Sequence, residues 1–130
     1  MDTIASGFEH LSFHDTSVDK IIRAPSSITI DFSGAFLSKG HPSAHGSEWY
    51  ISSGTLILSG VTGEEALFWQ GDKVSRQHPE PEFPLDEIMH ASFDGILFAF
   101  DGLLKHMPWY EWFVVANGFN LVPRDVTRVS

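Results

Sequence analysis

The sequence contains no cysteine, and this absence removes several kinds of chemistry at once. Disulfide bridges, cysteine-ligated zinc, iron–sulfur clusters and thiol catalysis are all excluded. Small secreted domains usually depend on disulfides, so the absence also favours a reducing cytoplasm. Met1 to Ile4 carry no basic run, and no long apolar run occurs anywhere. We therefore expect a cytoplasmic protein with neither a signal peptide nor a membrane-spanning segment.

Basic residues are scarce as well. The 130 residues include 8 lysines and arginines against 17 acidic residues, which gives a formal net charge of -9. A chain this acidic repels a phosphate backbone, and no basic cluster offsets the charge, so we expect no nucleic-acid binding. The same charge attracts a basic protein partner. Solubility alone is the alternative explanation for the acidity.

The chain also lacks a long helical pattern, whereas β-rich runs and turn residues recur along it. Asn117-Gly118, Asp94-Gly95 and Ser53-Gly54 each lie between two β-rich runs and predict three tight hairpins. A further pair of strands is predicted at Val18 to Ala24 and Ile28 to Phe32, on either side of a Pro-Ser-Ser turn.

About eight or nine short strands predict one mostly β domain over residues 1–130. Local pairing favours an antiparallel meander that forms a sandwich or a partly closed barrel, with one or two short helices. Leu85 to His90 and Gly102 to Tyr110 are the segments that offer those helices. An α+β fold with one antiparallel sheet is the alternative.

Sequence motifs for catalysis and metal binding are missing. His10 and His14 are four residues apart, as are His41 and His45. That spacing brings two imidazoles together on a helix, but on a strand it separates them by about 13 Å. Neither pair has helical context, so we expect no metal site and no cofactor. The chain has no nucleophile elbow, Walker loop or GxGxxG fingerprint, and we expect no enzyme activity and no catalytic residue.

What the chain does have is an acidic segment that also carries aromatic residues. From Glu80 through Glu111 there are seven acids and one base, Lys105. A surface that combines acids with aromatics suits capture of a basic protein, because charge speeds association and buried rings supply affinity. A solvated face of alternating strands is the alternative. The predicted partner-binding residues are Glu80, Glu82, Asp86, Glu87, Trp109, Tyr110 and Glu111.

The aromatic cluster near residue 110 must divide between two faces if it forms a strand. Alternation sends Trp109, Glu111 and Phe113 to one face. It sends Tyr110 and Trp112 to the other face. One of the two aromatic sets is therefore predicted to pack in the core, and the other is available for recognition.

A short pattern opens the first long predicted strand: Phe13-His14-Asp15-Thr16-Ser17-Val18. The pattern and the layout of residues 8 to 32 resemble small β-rich bacterial proteins, some of which are immunity proteins of polymorphic or contact-dependent toxin systems. The resemblance implies a non-enzymatic intracellular protein that binds and blocks a cognate toxin. It carries over no catalytic residue, and His14 and Asp15 are assigned structural roles in a turn.

These observations predict a small acidic binding protein, an immunity protein that neutralises a basic toxin domain. The alternative is a small-molecule-binding barrel or sandwich with an aromatic-lined pocket. A large internal cavity lined by Phe and Trp would favour the alternative, whereas a filled core with an exposed acidic-aromatic surface would favour protein binding. The oligomeric state is left open.

Overall fold

A computed structural model describes residues 1–69 and 75–130 of the chain. Within these ranges the helical content is two 3₁₀ turns, Phe8–His10 and Pro42–Ala44, and no helix is long and apolar enough to cross a membrane. The strands are β1 (Leu11–Ser12), β2 (Thr16–Ala24), β3 (Ser27–Ser33), β4 (Ala35–Leu37), β5 (Trp49–Ser59), β6 (Gly63–Trp69), β7 (Ser75–Gln77), β8 (Glu87–Phe93), β9 (Leu97–Leu104), β10 (Met107–Val115) and β11 (Gly118–Arg128).

The strands form one antiparallel sheet that is not closed. Its first half contains β1, β4, β5, β3 and β2, with β11 along the other side of β5, and its second half contains β8, β9, β10, β6 and β7. The halves join where Thr16 and Ser17 of β2 pair with Ile88 and Glu87 of β8. The prediction of a mostly β, antiparallel fold is confirmed.

The two halves pack against each other through aromatic rings. Phe119 of β11 lies edge-on to Phe98 of β9, with ring centroids 6.3 Å apart. Phe8, from the first 3₁₀ turn, contacts both rings at 5.1 and 5.4 Å. Phe93 stacks on Phe98 at 3.9 Å. Such ring pairs add to the stabilisation from burial, so this contact holds the halves face to face.

Two predicted strand pairs are confirmed. β2 and β3 pair across Pro25 and Ser26, and β8 and β9 pair across the Asp94-Gly95 turn. In that turn the Asp94 carboxylate accepts the backbone N–H groups of Ile96 and Leu97 at 2.9 and 2.7 Å. The hydrogen bonds from Leu97 and Ile96 hold the pKa of Asp94 below its usual value, because they favour the ionised form.

The hairpin predicted at Ser53-Gly54 is wrong, because β5 runs straight through these residues. A Cβ atom at position 54 would lie 2.8 Å from the Phe32 ring and 3.1 Å from the Val122 carbonyl oxygen. The glycine is therefore required by close packing within the sheet and does not mark a turn.

The hairpin predicted at Asn117-Gly118 is also wrong. β10 pairs with β9 and β6, whereas β11 pairs with β5, so the segment carries the chain from one half of the sheet to the other. Neither Asn117 nor Gly118 has the positive φ that a type I′ turn requires. The Asn117 N–H donates instead to the Ser59 carbonyl at 2.8 Å.

Both predicted helices are wrong. Leu85 to His90 lead into β8, and Gly102 to Tyr110 form the β9–β10 hairpin. Sheet pairing on both sides of β9 outweighs the weak local helix signal. The hairpin turns at Lys105 and His106, whose φ values of 53° and 66° are the left-handed pair that a tight hairpin needs.

Candidate functional site

The second half of the sheet turns one face to the core and the other to solvent. In β9 the buried residues Phe98, Phe100, Gly102 and Leu104 alternate with half-buried ones. In β10 Trp112 and Val114 are fully buried. Since side chains alternate along a strand and directly paired residues share a face, the strand register defines which residues form the outer face.

That outer face crosses four strands. Phe113 of β10 lies between Ala99 of β9 and Glu65 of β6. Glu111 lies between Asp101 and Leu67 in the same way. We call this surface the acidic face, and its members are Glu65, Leu67, Glu87, His90, Ser92, Leu97, Ala99, Asp101, Leu103, Glu111, Phe113 and Val115.

The acidic face combines apolar side chains with an excess of acidic ones. Four of its members are acidic, and none is a lysine or an arginine. Asp101 and Glu111 lie directly opposite each other on neighbouring strands, which is an unfavourable position for two like charges. His90 Nδ1 lies 3.0 Å from the Asp101 carboxylate, and the indole N–H of Trp69 donates to Glu111. These donors orient the two carboxylates.

The outer face of the first half has a different character. Its members, aligned by the register of β3, β5 and β11, are Ser27, Thr29, Asp31, Thr55, Ile57, Ser59, Asn120 and Val122, and we call it the polar face. Its carboxylate, Asp31, accepts a hydrogen bond from Thr55 at 2.8 Å and lies 3.6 Å from the Arg124 guanidinium. The charge on the polar face is therefore compensated within the chain.

The predicted partner-binding residues of the strands divide between the two sides of the sheet. Glu87 and Glu111 belong to the acidic face, and Trp109, 44% exposed, lies two residues before Glu111 in β10. Tyr110 points the other way, because its ring lies 5.9 Å from Phe68 and 4.8 Å from His78. The predicted alternation therefore holds, and Trp112 belongs to the set that packs in the core.

The other three predicted residues lie in the loop between β7 and β8. Glu80 and Glu82 are exposed. The carboxylate of Asp86 accepts the backbone N–H of Lys105 at 3.0 Å, and Lys105 Nζ lies 3.9 Å from Glu80. Asp86 therefore fastens the β9–β10 turn to the loop. The role of these residues in binding stays a prediction.

A buried histidine, which the sequence did not single out, anchors the same loop. His78 is 3% exposed. Its Nε2 donates to the Pro84 carbonyl at 2.7 Å, and its Nδ1 accepts the Glu80 N–H at 2.8 Å. Because both ring nitrogens are used, the loop that carries Glu80 and Glu82 has a fixed backbone path. The sequence signal was weak: a lone His-Pro step in a proline-rich stretch.

A charged network ties the first half of the sheet to the second. Arg23 of β2 donates to both carboxylate oxygens of Glu64 in β6, at 2.9 and 2.6 Å. It also donates to the carbonyls of Pro81 and Glu82, at 3.1 and 2.7 Å. The indole of Trp112 donates to the same glutamate at 2.8 Å. This network was not predicted, because β2 and β6 are far apart in sequence.

The network predicts how stability depends on pH. Burial raises the pKa of Glu64, but the hydrogen bonds from Arg23 and Trp112 and the charge of Arg23 outweigh burial, so the pKa lies below its usual 4.5. The stabilisation from this carboxylate is therefore present above pH 4.5 and is lost as the pH falls through the lowered pKa. We expect the free energy of unfolding, measured with urea, to fall less steeply in acid for Glu64→Gln than for the wild type.

The neighbouring glutamate, Glu65, provides the matched control. It lies on the acidic face and outside the network, so Glu65→Gln should keep the acid dependence of the wild type. Equal slopes for the Glu64→Gln variant and the wild type would contradict the assignment.

The structure pairs the histidines differently from the sequence spacing. His10 lies against His41, with ring centroids 5.8 Å apart, and His14 lies 6.3 Å from His90. His14 Nδ1 is 3.2 Å from the Met89 carbonyl oxygen, which links the start of β2 to β8. Across the two described ranges, no group of three or more histidine, aspartate and glutamate side chains is arranged to hold a metal ion.

The surface includes open clefts as well as flat faces. Three of them have volumes of about 330, 250 and 190 Å³. The first lies beside the charged network, the second beside β1 and β4, and the third beside His45 and Trp49. The first is lined by Arg23, Glu64, Glu65, Ala66, Pro81 and Glu82. This lining is mainly charged, whereas the second cleft includes Phe36 and the third includes Trp49.

The chain matches no protein-family model, no curated protein and no solved structure. A proposal for its function therefore rests on the geometry and charge of its surfaces.

Proposed function

We propose that this protein is a small acidic binding protein of the cytoplasm that captures a basic protein, and that the captured protein is a toxin domain which it neutralises. The observation that supports this most directly is the acidic face, whose described members include four acids and no lysine or arginine among apolar side chains. Such a surface attracts a cationic partner at a distance and offers apolar area for burial on contact. The choice of a toxin as the partner follows from the resemblance proposed for residues 8 to 32.

The packing between the halves supports protein binding over the small-molecule alternative. Phe93, Phe98 and Phe119 contact one another with ring centroids 3.9 to 6.3 Å apart. Phe8 contacts all three. Aromatic side chains that a ligand pocket would use are thus packed against each other in the core.

A basic protein encoded next to this gene would be the candidate partner for the test. We expect tight binding in surface plasmon resonance, with an association rate that falls about tenfold or more between low and high ionic strength. Reversing the exposed loop acids, in Glu80→Lys with Glu82→Lys, should slow association at low salt. Co-expression should also protect cells from the partner's toxicity.

An unrelated basic protein of similar net charge serves as the control, because charge alone would attract it only weakly. If such a candidate partner bound no better than this control, and co-expression gave no protection, the proposed function would be wrong.

A further inference from the structure

We propose that the acidic face is the surface on which the basic partner docks. In this docking Phe113 supplies the apolar contact, and the Asp101–Glu111 pair receives a cationic side chain of the partner. The inference rests on the proposed function and adds to it the location and chemistry of the interface.

The apolar contact is centred on β10, one of the two inner strands of this face. Phe113 is half-buried and has Ala99 on one side and Glu65 on the other. Val115 is exposed and lies opposite Leu97. Aromatic residues near the middle of a surface are typical energetic centres of protein interfaces, because the surrounding contacts exclude water from them.

The charges determine what kind of partner fits. Asp101 and Glu111 face each other across β9 and β10, and their repulsion is relieved when a guanidinium or ammonium group lies between them. A second copy of this chain would bring the same four acids against each other, so self-association through this face is disfavoured. A basic protein is therefore the occupant to which the charge is complementary.

The polar face differs from the acidic face in both properties, because it offers no aromatic side chain among its described members and its carboxylate is paired. Its members are mainly hydroxyl and amide side chains, with Ile57 and Val122 as its apolar residues. Asp31 is already paired with Arg124 within the chain. A basic partner would have to displace that arginine to use the charge, so the acidic face is the favoured one of the two.

Matched substitutions on the two faces test the location. Glu65→Lys changes the acidic face, and Asn120→Lys adds the same side chain to the polar face; both positions are exposed. We expect Glu65→Lys to weaken binding of the partner by about tenfold or more at low ionic strength, with a smaller effect at high salt. Asn120→Lys should leave the dissociation constant within about twofold of the wild type.

A second pair of variants separates charge from apolar contact. Asp101→Asn with Glu111→Gln removes the charge while keeping the shape, and we expect it to slow association. Phe113→Ala should speed dissociation by about 30-fold, the scale of an interface hot spot. Ile57→Ala on the polar face is its control and should leave dissociation unchanged. Circular dichroism establishes that each variant is folded before binding is measured.

The outcomes distinguish the interface from the function. If the wild type binds the basic partner, but the folded acidic-face variants bind as tightly as the wild type, the docking surface is wrong and the proposed function stands. Weakening by Asn120→Lys and Ile57→Ala alone would place the interface on the polar face and overturn this inference. Failure of the wild type to bind the basic partner would overturn the proposed function and the docking surface together.

Discussion

The Trp112→Ala variant should lose about 3–5 kcal/mol of its free energy of unfolding, the usual cost of truncating a fully buried tryptophan. Trp112 is 0% exposed, and its ring lies 5.2 Å from Phe100. Its indole N–H also donates to Glu64, so truncation leaves a cavity and removes one donor from the network with Arg23. Urea denaturation followed by circular dichroism measures the loss.

A second tryptophan in the same strand, Trp109, provides a control for the truncation of Trp112. Trp109 lies three residues earlier in β10 but is 44% exposed, so Trp109→Ala should change stability by less than about 1 kcal/mol. Trp112→Phe keeps an aromatic ring but loses the indole N–H that donates to Glu64. Its loss of free energy of unfolding should lie between the losses of the two alanine variants. Similar losses for the two alanine variants would show that Trp112 is not the centre of the packing described above.

The Gly102→Ala variant should be destabilised by about 3 kcal/mol or more, because the new methyl group meets backbone. A Cβ at position 102 would lie 1.9 Å from the carbonyl oxygen of Glu87, where the bulge between Ile88 and His90 brings β8 close to β9. No side-chain rotation can relieve this contact, so one of the strands must move. The midpoint of thermal unfolding reports the effect.

Gly63→Ala is the matched substitution in the same half of the sheet. There the new Cβ would meet the Val115 side chain at 3.7 Å, an ordinary van der Waals distance. Its stability should change by less than about 1 kcal/mol. If both alanine variants unfolded at the same temperature, the close approach of β8 and β9 at Gly102 would be contradicted.

Short sequence patterns correctly predicted strand pairs whose two strands adjoin in sequence. The Asp94-Gly95 hairpin and the β2–β3 pair follow from residues that adjoin in sequence, and both are present. The hairpin predicted at Asn117-Gly118 was wrong because a turn signal does not indicate which strands pair. Here the flanking strands, β10 and β11, belong to different halves of the sheet. The hairpin predicted at Ser53-Gly54 was wrong because glycine occurs both in turns and at positions of close packing, and Gly54 is one of the latter.

For the candidate site, too, the sequence predicted local features but not the contacts between distant strands. Strand alternation correctly separated Trp109 and Glu111 from Tyr110 and Trp112. It did not show that Glu65 lies beside Phe113, because that neighbourhood arises from the pairing of β6 with β10 across more than forty residues. The acidic face is therefore a product of register, which short-range sequence patterns do not encode.

The position of β11 has a consequence for how the protein is made. Phe119 packs against the rings of Phe8, Phe93 and Phe98, and Leu121 exchanges backbone hydrogen bonds with Ile4 at 2.9 and 2.7 Å. Until residue 121 has emerged from the ribosome, the nascent chain cannot form these contacts. One edge of β5 then has no β11 to pair with. The core therefore closes only after that point in translation, and until then the open edge needs protection from pairing with other chains.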